Sequence, residues 1–206
     1  VSELGPLGAR CTLLLVAAPS EAMRAVARSI GDVIDGSHFV VHGTRGLSPE
    51  GLHALSDVIR AETPCRRVGA LGGPVLADDL IEGRPAVIAV ASRYAEVCDA
   101  VEAALGGPML RVSPSADLTG LEWASALNGC LFVALGYGRA IGVSPGLLAG
   151  VLTRGLHEAA RVAVAQRRHD AVGLVHVHRE VERGREAPVE GRRHRDAVQR
   201  GEAAHA

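Results

Sequence analysis

Side-chain chemistry in this chain must come from arginine, histidine, carboxylates and amides, because its 206 residues include no lysine. Any mechanism built on a side-chain ammonium acid or a Schiff base is excluded. The apolar run ending in Val40-Val-His-Gly-Thr-Arg-Gly-Leu47 delivers Arg45 into a glycine-flanked turn. Its permanent charge suits a phosphate, and equally a solvated loop. His42, beside Gly43, is of a residue type that can shuttle protons, although a strand-end histidine without a catalytic task is the simpler reading. Asp78-Asp79 reads as the acidic start of a helix rather than a metal site. Glu122, next to Trp123 in an apolar helical stretch, reads as a capping or surface carboxylate before an acid or base. Thr153-Arg154 reads as structural.

These groups need a scaffold, and the composition permits one. A chain of this length can bury a substantial core as one large or two small domains. No apolar run in the sequence approaches the roughly 20 residues that span a bilayer. Cys11-Thr-Leu-Leu-Leu-Val-Ala-Ala18 is too short for that and lacks the cationic flank of a signal peptide, so it reads as a buried strand. Cys11, Cys65, Cys98 and Cys130 are isolated, which points to reduced thiols in the cytoplasm and away from structural zinc.

Residues 1–113 alternate between short apolar runs and amphipathic segments. Strands are expected at Leu13–Ala17, Phe39–Val41, Val68–Leu71, Ala86–Ala91 and Met109–Val112, with helices over 21–30, 48–60, around Asp78-Asp79 and over 93–105. Ser20 and Ser48-Pro49 supply helix-start signals. Such alternation means a largely parallel sheet covered by helices. From Ser115 the pattern becomes purely helical, over 117–138 and 144–165. The 41 residues from Gln166 contain one leucine and no aromatic, and carry a net charge of +2 against −3 for residues 1–165. That composition predicts disorder, since so little apolar surface cannot offset the entropy of ordering. Its carboxylates nearly balance its arginines, so a nucleic-acid role is not indicated. Its Arg/His/Val/Ala/Glu/Gly vocabulary is that of GC-rich DNA read out of frame. The expected organisation is therefore an α/β domain over 1–114, a helical domain over 115–165 and a disordered tail over 166–206 that is a possible frameshift product.

Three blocks resemble the NAD(P)-dependent glycerol-3-phosphate dehydrogenases. Val40–Leu47 is similar to the family's strand and loop ending in Thr-Lys-Gly, and Leu71–Ser92 to its Ser-Gly-Pro-Ser-Phe-Ala segment and following strand. Gly120-Leu-Glu-Trp-Ala-Ser-Ala-Leu-Asn-Gly129, continued through Leu152-Thr-Arg-Gly-Leu156, resembles its helical domain. The resemblance implies the C-terminal part of a Rossmann-like dinucleotide-binding domain followed by the start of a helical substrate domain. It implies NAD or NADP as cofactor and a phosphorylated triose or glycerol as substrate, for glycerophospholipid metabolism. It gives Arg45 and Gly73 to substrate, Arg45 and Ala77 to cofactor, and Asn128 to the position of the catalytic lysine. It implies no metal, no specific nucleic acid and no membrane span, and leaves a homodimer as an option.

Several positions depart from the family pattern. Arg45 replaces a loop lysine, Val75 a serine, Leu148 a further lysine, and Asn128 the lysine whose ammonium would donate to the developing alkoxide. No strand–GxGxxG–helix unit occurs, since Val1–Arg10 is too short to hold one and Gly136-Tyr-Gly-Arg-Ala-Ile-Gly142 follows no strand. The family's later Gly-Leu-Gly-Asp and Arg-Asn segments do not appear after Gln166. The expected outcome is a family relative with impaired or absent activity; the alternatives are a non-catalytic binder of phosphorylated metabolites and a non-functional gene fragment.

Overall fold

The computed structural model describes the backbone of residues 4–186, with side chains through residue 167 apart from residue 7. Residues 1–167 group as one compact unit and 168–206 as a second. The first begins with α1 (Gly5–Arg10), β1 (Leu13–Val16), a 3-10 turn at Ser20–Ala22 and α2 (Met23–Gly31). Then come β2 (Phe39–His42), α3 (Leu55–Glu62), β3 (Val68–Gly72), α4 (Ala77–Ile81), β4 (Ala86–Ser92), α5 (Ala95–Leu105) and β5 (Leu110–Ser115). Two long helices close the order, α6 (Leu118–Ala140) and α7 (Pro145–Glu186). The tail expectation beyond residue 186 lies outside the described residues.

The strands form one sheet in the order β1-β2-β3-β4-β5. Strand alternation sends successive side chains to opposite faces. Val40 therefore joins Met23, Ile30, Leu55, Ile59 and Val68 on one face, while Val41 joins Val90, Val97, Val101 and Val112 on the other. Ala70 and Ala91 meet Leu118 of α6 in a third cluster. The small residues of β3 allow this approach: a Cβ on Gly72 would lie 2.9 Å from Leu121 Cδ1.

The sheet is parallel as expected at β1–β2, β2–β3 and β4–β5, but β3 and β4 are antiparallel. The cause is the length of α4. Its five residues cannot run the depth of the sheet and return, so the chain reverses directly. The helix expected from Ser48 begins only at Leu55, because Gly51 (φ 79°) and Leu52 (φ 54°) take left-handed conformations that no helix continues through. Strand β5 runs on through Pro114, which is tolerated because β5 is an edge strand.

The sequence places no capping side chain at the start of α3, where Ala54 is the N-cap. Glu122 of α6 supplies the cap instead. Its carboxylate accepts the Ser56 backbone N–H at 2.8 Å and the Ser56 hydroxyl at 2.7 Å, and it meets His42 Nε2 of β2 at 3.0 Å. Glu122 is 3% exposed and His42 1%. Burial alone pushes this carboxyl up, but the donors from His42 and Ser56 outweigh it and hold the group below the usual carboxylate range. A carboxylate demands donors, which puts the His42 proton on Nε2. Nδ1 is then buried without a partner among the described residues.

Helix α6 is long and apolar enough, by length and composition, to cross a membrane, unlike any uninterrupted apolar run in the sequence. Its first half packs on β3 and β4 and holds Glu122. Asp117 caps its start by accepting the Gly120 N–H at 3.0 Å, and Arg167 of α7 pairs with Asp117 at 3.1 Å. In the Gly136–Gly142 stretch, Gly136 and Gly138 lie inside α6, and Gly138 serves packing, since a Cβ there would lie 2.8 Å from Leu148 Cδ2.

Removing the Glu122 carboxylate leaves His42 and the first turn of α3 without their buried acceptor. Glu122→Ala is expected to lower the unfolding free energy by about 3 kcal/mol, with Glu122→Gln costing less, measured by urea denaturation. A second prediction concerns pH. His38 Nε2 lies 2.8 Å from the Gly8 carbonyl and Nδ1 2.9 Å from Asp35 Oδ1. The Gly8 carbonyl is the main cause of its raised pKa, whereas the Ser37 hydroxyl draws the Asp35 carboxyl down to about 2. A raised folded pKa gives stability that is complete below the unfolded value of 6.5 and is lost as pH rises through the folded value. Thermal stability should therefore fall as pH rises through neutrality, and His38→Gln should flatten that slope. An unchanged slope in the variant would rule out His38 as its source.

Candidate functional site

The parallel strands β1, β2 and β3 end side by side, and the loops that follow them collect the polar groups. This is where open α/β sheets generally bind ligands. The loop after β2 is tied down at its base. The Gly43 N–H donates to the Val16 carbonyl at 2.9 Å, and the Thr44 hydroxyl donates to the Ala18 carbonyl at 2.6 Å. Gly46, at φ 115°, takes a conformation that L residues rarely adopt, and a Cβ there would lie 3.9 Å from the Ser20 side chain.

With its neighbours anchored, Arg45 extends across the ends of β2 and β3. One guanidinium nitrogen, Nη2, donates to the Gly73 carbonyl at 3.4 Å. Its Cδ lies 3.2 Å from the position of a Cβ on Gly129, so the absent side chain there makes room for the arginine against α6. Gly73 needs its own freedom. Its φ is 147°, and a Cβ would lie 3.3 Å from the Val87 carbonyl oxygen and 3.4 Å from Ile88 Cα. The structure thus brings Arg45, Gly73 and Gly129 together, with Asn128 next to Gly129 on α6. The Asn128 Oδ1 is inaccessible to solvent and has no hydrogen-bond partner among the described residues.

The other sequence candidates fall elsewhere. Ala77 opens α4, exposed, with Asp78 and Asp79 in the same first turn and Asp79 paired with Arg84 at 2.8 Å. Val75 lies in the loop between β3 and α4. Leu148 packs against Gly138, and the Thr153 hydroxyl donates to the Ala149 carbonyl at 2.9 Å. Arg154 forms a surface pair with Glu158 at 3.8 Å. His42 sits directly before the Arg45 loop and is directed to Glu122, a positioning contact. Ser56 carried no signal in the sequence: its partner is 66 positions away, and only the fold brings the two together.

A cationic guanidinium, an exposed glycine backbone and a neutral amide make an arrangement that can hold an anion and hydrogen-bond a neighbouring oxygen. None of these groups can give up a proton readily near neutrality. The Gly73 backbone sets the spacing. Gly73→Ala is expected to cost about 1–3 kcal/mol through strain at a positive φ, read as a lowered urea midpoint. A midpoint equal to wild type would mean that the loop after β3 does not require glycine.

Residues 2–98 match the family described as NAD-dependent glycerol-3-phosphate dehydrogenase, N-terminus. A glycerol-3-phosphate dehydrogenase acting with NAD(P)+ from Acinetobacter baumannii (strain SDF) is 36% identical over 166 residues, covering 81% of this chain and 46% of the relative. The enzyme of the same name from Sinorhizobium fredii is 31% identical over 154 residues, covering 75% of this chain and 46% of the relative. The chain thus spans about half the length of the curated relatives it matches. Among solved structures, glycerol-3-phosphate dehydrogenase from Coxiella burnetii superposes with a TM-score of 0.73 at 25% identity, over 79% of this chain and 50% of that one. The DsGPDH of Dunaliella salina shares the fold, with a TM-score of 0.72 at 21% identity, over 79% of this chain and 28% of that one. By sequence and by fold, the chain is similar to the NAD(P)-dependent glycerol-3-phosphate dehydrogenases.

Proposed function

We propose that this chain binds a phosphorylated three-carbon ligand of the dihydroxyacetone phosphate or sn-glycerol 3-phosphate type at Arg45, Gly73 and Asn128, and that it is impaired in hydride transfer. The observation that carries this reading is the convergence of Arg45 with Gly73 and with Gly129, the chain neighbour of Asn128. Arg45 is the group for the phosphate, since its planar fork matches two phosphate oxygens at once. The exposed backbone of Gly73 lets the ligand approach without meeting a side chain. The Asn128 amide can hydrogen-bond a substrate oxygen, but an amide cannot act as a general acid. Losing a positioned general acid typically costs on the order of 10²–10⁴ in rate, and with no lysine in the chain a side-chain ammonium cannot take over from a neighbouring position.

NAD or NADP, when bound, supplies the hydride in this family's reaction, and the resemblance gives Arg45 and Ala77 to that cofactor. A dinucleotide pyrophosphate needs a glycine-rich turn from a strand into a helix. The described residues contain no such turn, and the spaced glycines Gly136 and Gly138 lie within helix α6 rather than at its start. We therefore route no step through the dinucleotide. Resemblance to the family is what supports a place in glycerophospholipid metabolism and in the cytoplasm.

Calorimetric titration with sn-glycerol 3-phosphate should show saturable binding that weakens at least about tenfold in Arg45→Ala, the loss of one charge-assisted contact. An absence of binding by the wild type would favour a non-functional fragment and sink this reading. In a parallel assay, NADPH oxidation with dihydroxyacetone phosphate should run about 10²–10⁴ below a typical dehydrogenase rate. Turnover at an ordinary dehydrogenase rate would show that Asn128 does not impair the reaction.

A further inference from the structure

Arg45 does not hold its own aim. It is exposed, and its guanidinium has only the long 3.4 Å hydrogen bond to the Gly73 carbonyl. Gly43 and Gly46 flank it and leave the loop backbone free to adjust. On the β1 side the loop is anchored by the Gly43 N–H on the Val16 carbonyl and the Thr44 hydroxyl on the Ala18 carbonyl. The tether to α6 is His42, the last residue of β2, whose Nε2–H donates to Glu122 at 3.0 Å. Glu122 and Gly129 are seven residues apart on that helix, which sets them on one face and about 10 Å apart along its axis. The helix that receives His42 therefore also carries the surface on which Arg45 lies. The bridge is not free of strain on the hydrogen-bond inventory, because His42 Nδ1 is buried without a partner among the described residues. An unmet buried acceptor is unfavourable, and a residue that only filled the space between β2 and α6 would carry no polar atom.

We infer that His42 is the positioning residue of the anion site: its bridge to Glu122 fixes the end of β2 against α6, and with it the reach of Arg45 over the ligand. The inference rests on the binding proposed above for Arg45. His42 is 1% exposed, so it touches no ligand and acts through the arginine. With the bridge intact, the guanidinium is already set between Gly73 and Gly129 when the ligand arrives. With the bridge broken, the glycines let the loop wander, and the ligand must order Arg45 as it binds, which weakens affinity.

Two substitutions separate the bridge from mere bulk. His42→Gln carries an amide N–H to the depth of Nε2 and can keep the bond to Glu122, whereas His42→Asn stops at the depth of Nδ1. In calorimetric titration of the full chain with sn-glycerol 3-phosphate, below the melting transition, His42→Asn should bind about five- to tenfold more weakly than wild type, and His42→Gln within about twofold of it. In an Arg45→Ala background, His42→Asn should leave the residual affinity unchanged. Amide hydrogen exchange reads the bridge without ligand. Gly43 should exchange at least about tenfold faster in His42→Asn when scaled to Val40, the β2 reference for global opening. Equal weakening with and without Arg45 would overturn the inference. So would a His42→Gln as weak as His42→Asn, or a Gly43 amide as protected relative to Val40 as in wild type. If the wild type binds nothing, the ligand reading falls, and faster Gly43 exchange in His42→Asn still supports the positioning of Arg45.

Discussion

One buried carboxylate determines how the two parts of this molecule meet. Glu122 leaves α6 and enters the space between β2 and α3, where it takes two donors from Ser56 and one from His42. Placing a charge at 3% exposure is unfavourable unless its lone pairs are met, and here three donors meet them. A slip of α6 by one residue would rotate Glu122 by about 100° and leave both the carboxylate and the start of α3 unsatisfied. The contact therefore selects one axial position and one rotation of α6 on the sheet.

The candidate site inherits its geometry from that choice. With α6 held at Glu122, Gly129 comes two turns later on the same face, opposite the loop that His42 introduces. Arg45 then packs against the helix where Gly129 has no side chain, with the Gly73 carbonyl across from it. His42 is tied to Glu122 on one side and leads into the Gly43–Gly46 loop on the other, so the network and the site share a strand end. The distal half of α6 is oriented by the same contact, and its uncovered apolar strip is the continuation of a face that is buried nearer Glu122.

Much of this scaffold could be read from local patterns, and the failures have physical causes. The apolar runs at Leu13–Val16, Phe39–His42 and Ala86–Ser92 became strands, and Val16, Val40, Val41 and Val90 from them enter the cores on the two faces of the sheet. The start of α3 was misplaced because Ser48-Pro49 is a good helix signal, while Gly51 and Leu52 adopt positive φ for reasons set by the surrounding turn. The reversal of β4 followed from the shortness of α4, which periodicity does not reveal. The importance of Glu122 was partly visible as a capping role, but the helix it caps is a different one, more than sixty residues earlier. Resemblance named Arg45, Gly73 and Asn128 separately, and only the pairing of β2 with β3 and the seat of α6 show that Arg45 reaches both Gly73 and Gly129, the neighbour of Asn128.

Asn128 is where the family resemblance and the proposed loss of proton transfer meet. The scaffold that brings Gly129 against Arg45 is retained, while the neighbouring Asn128 offers a hydrogen bond and no transferable proton. That retention depends on the carboxylate that seats α6, so the most direct measurement is a double-mutant cycle between Glu122 and Ser56, using Glu122→Gln, Ser56→Ala and the double variant in urea denaturation. The structure predicts a coupling of about 1–3 kcal/mol, as expected for contacting partners in one buried network. Effects that add to within about 0.5 kcal/mol would contradict it, and would show that α6 is seated by something other than this carboxylate.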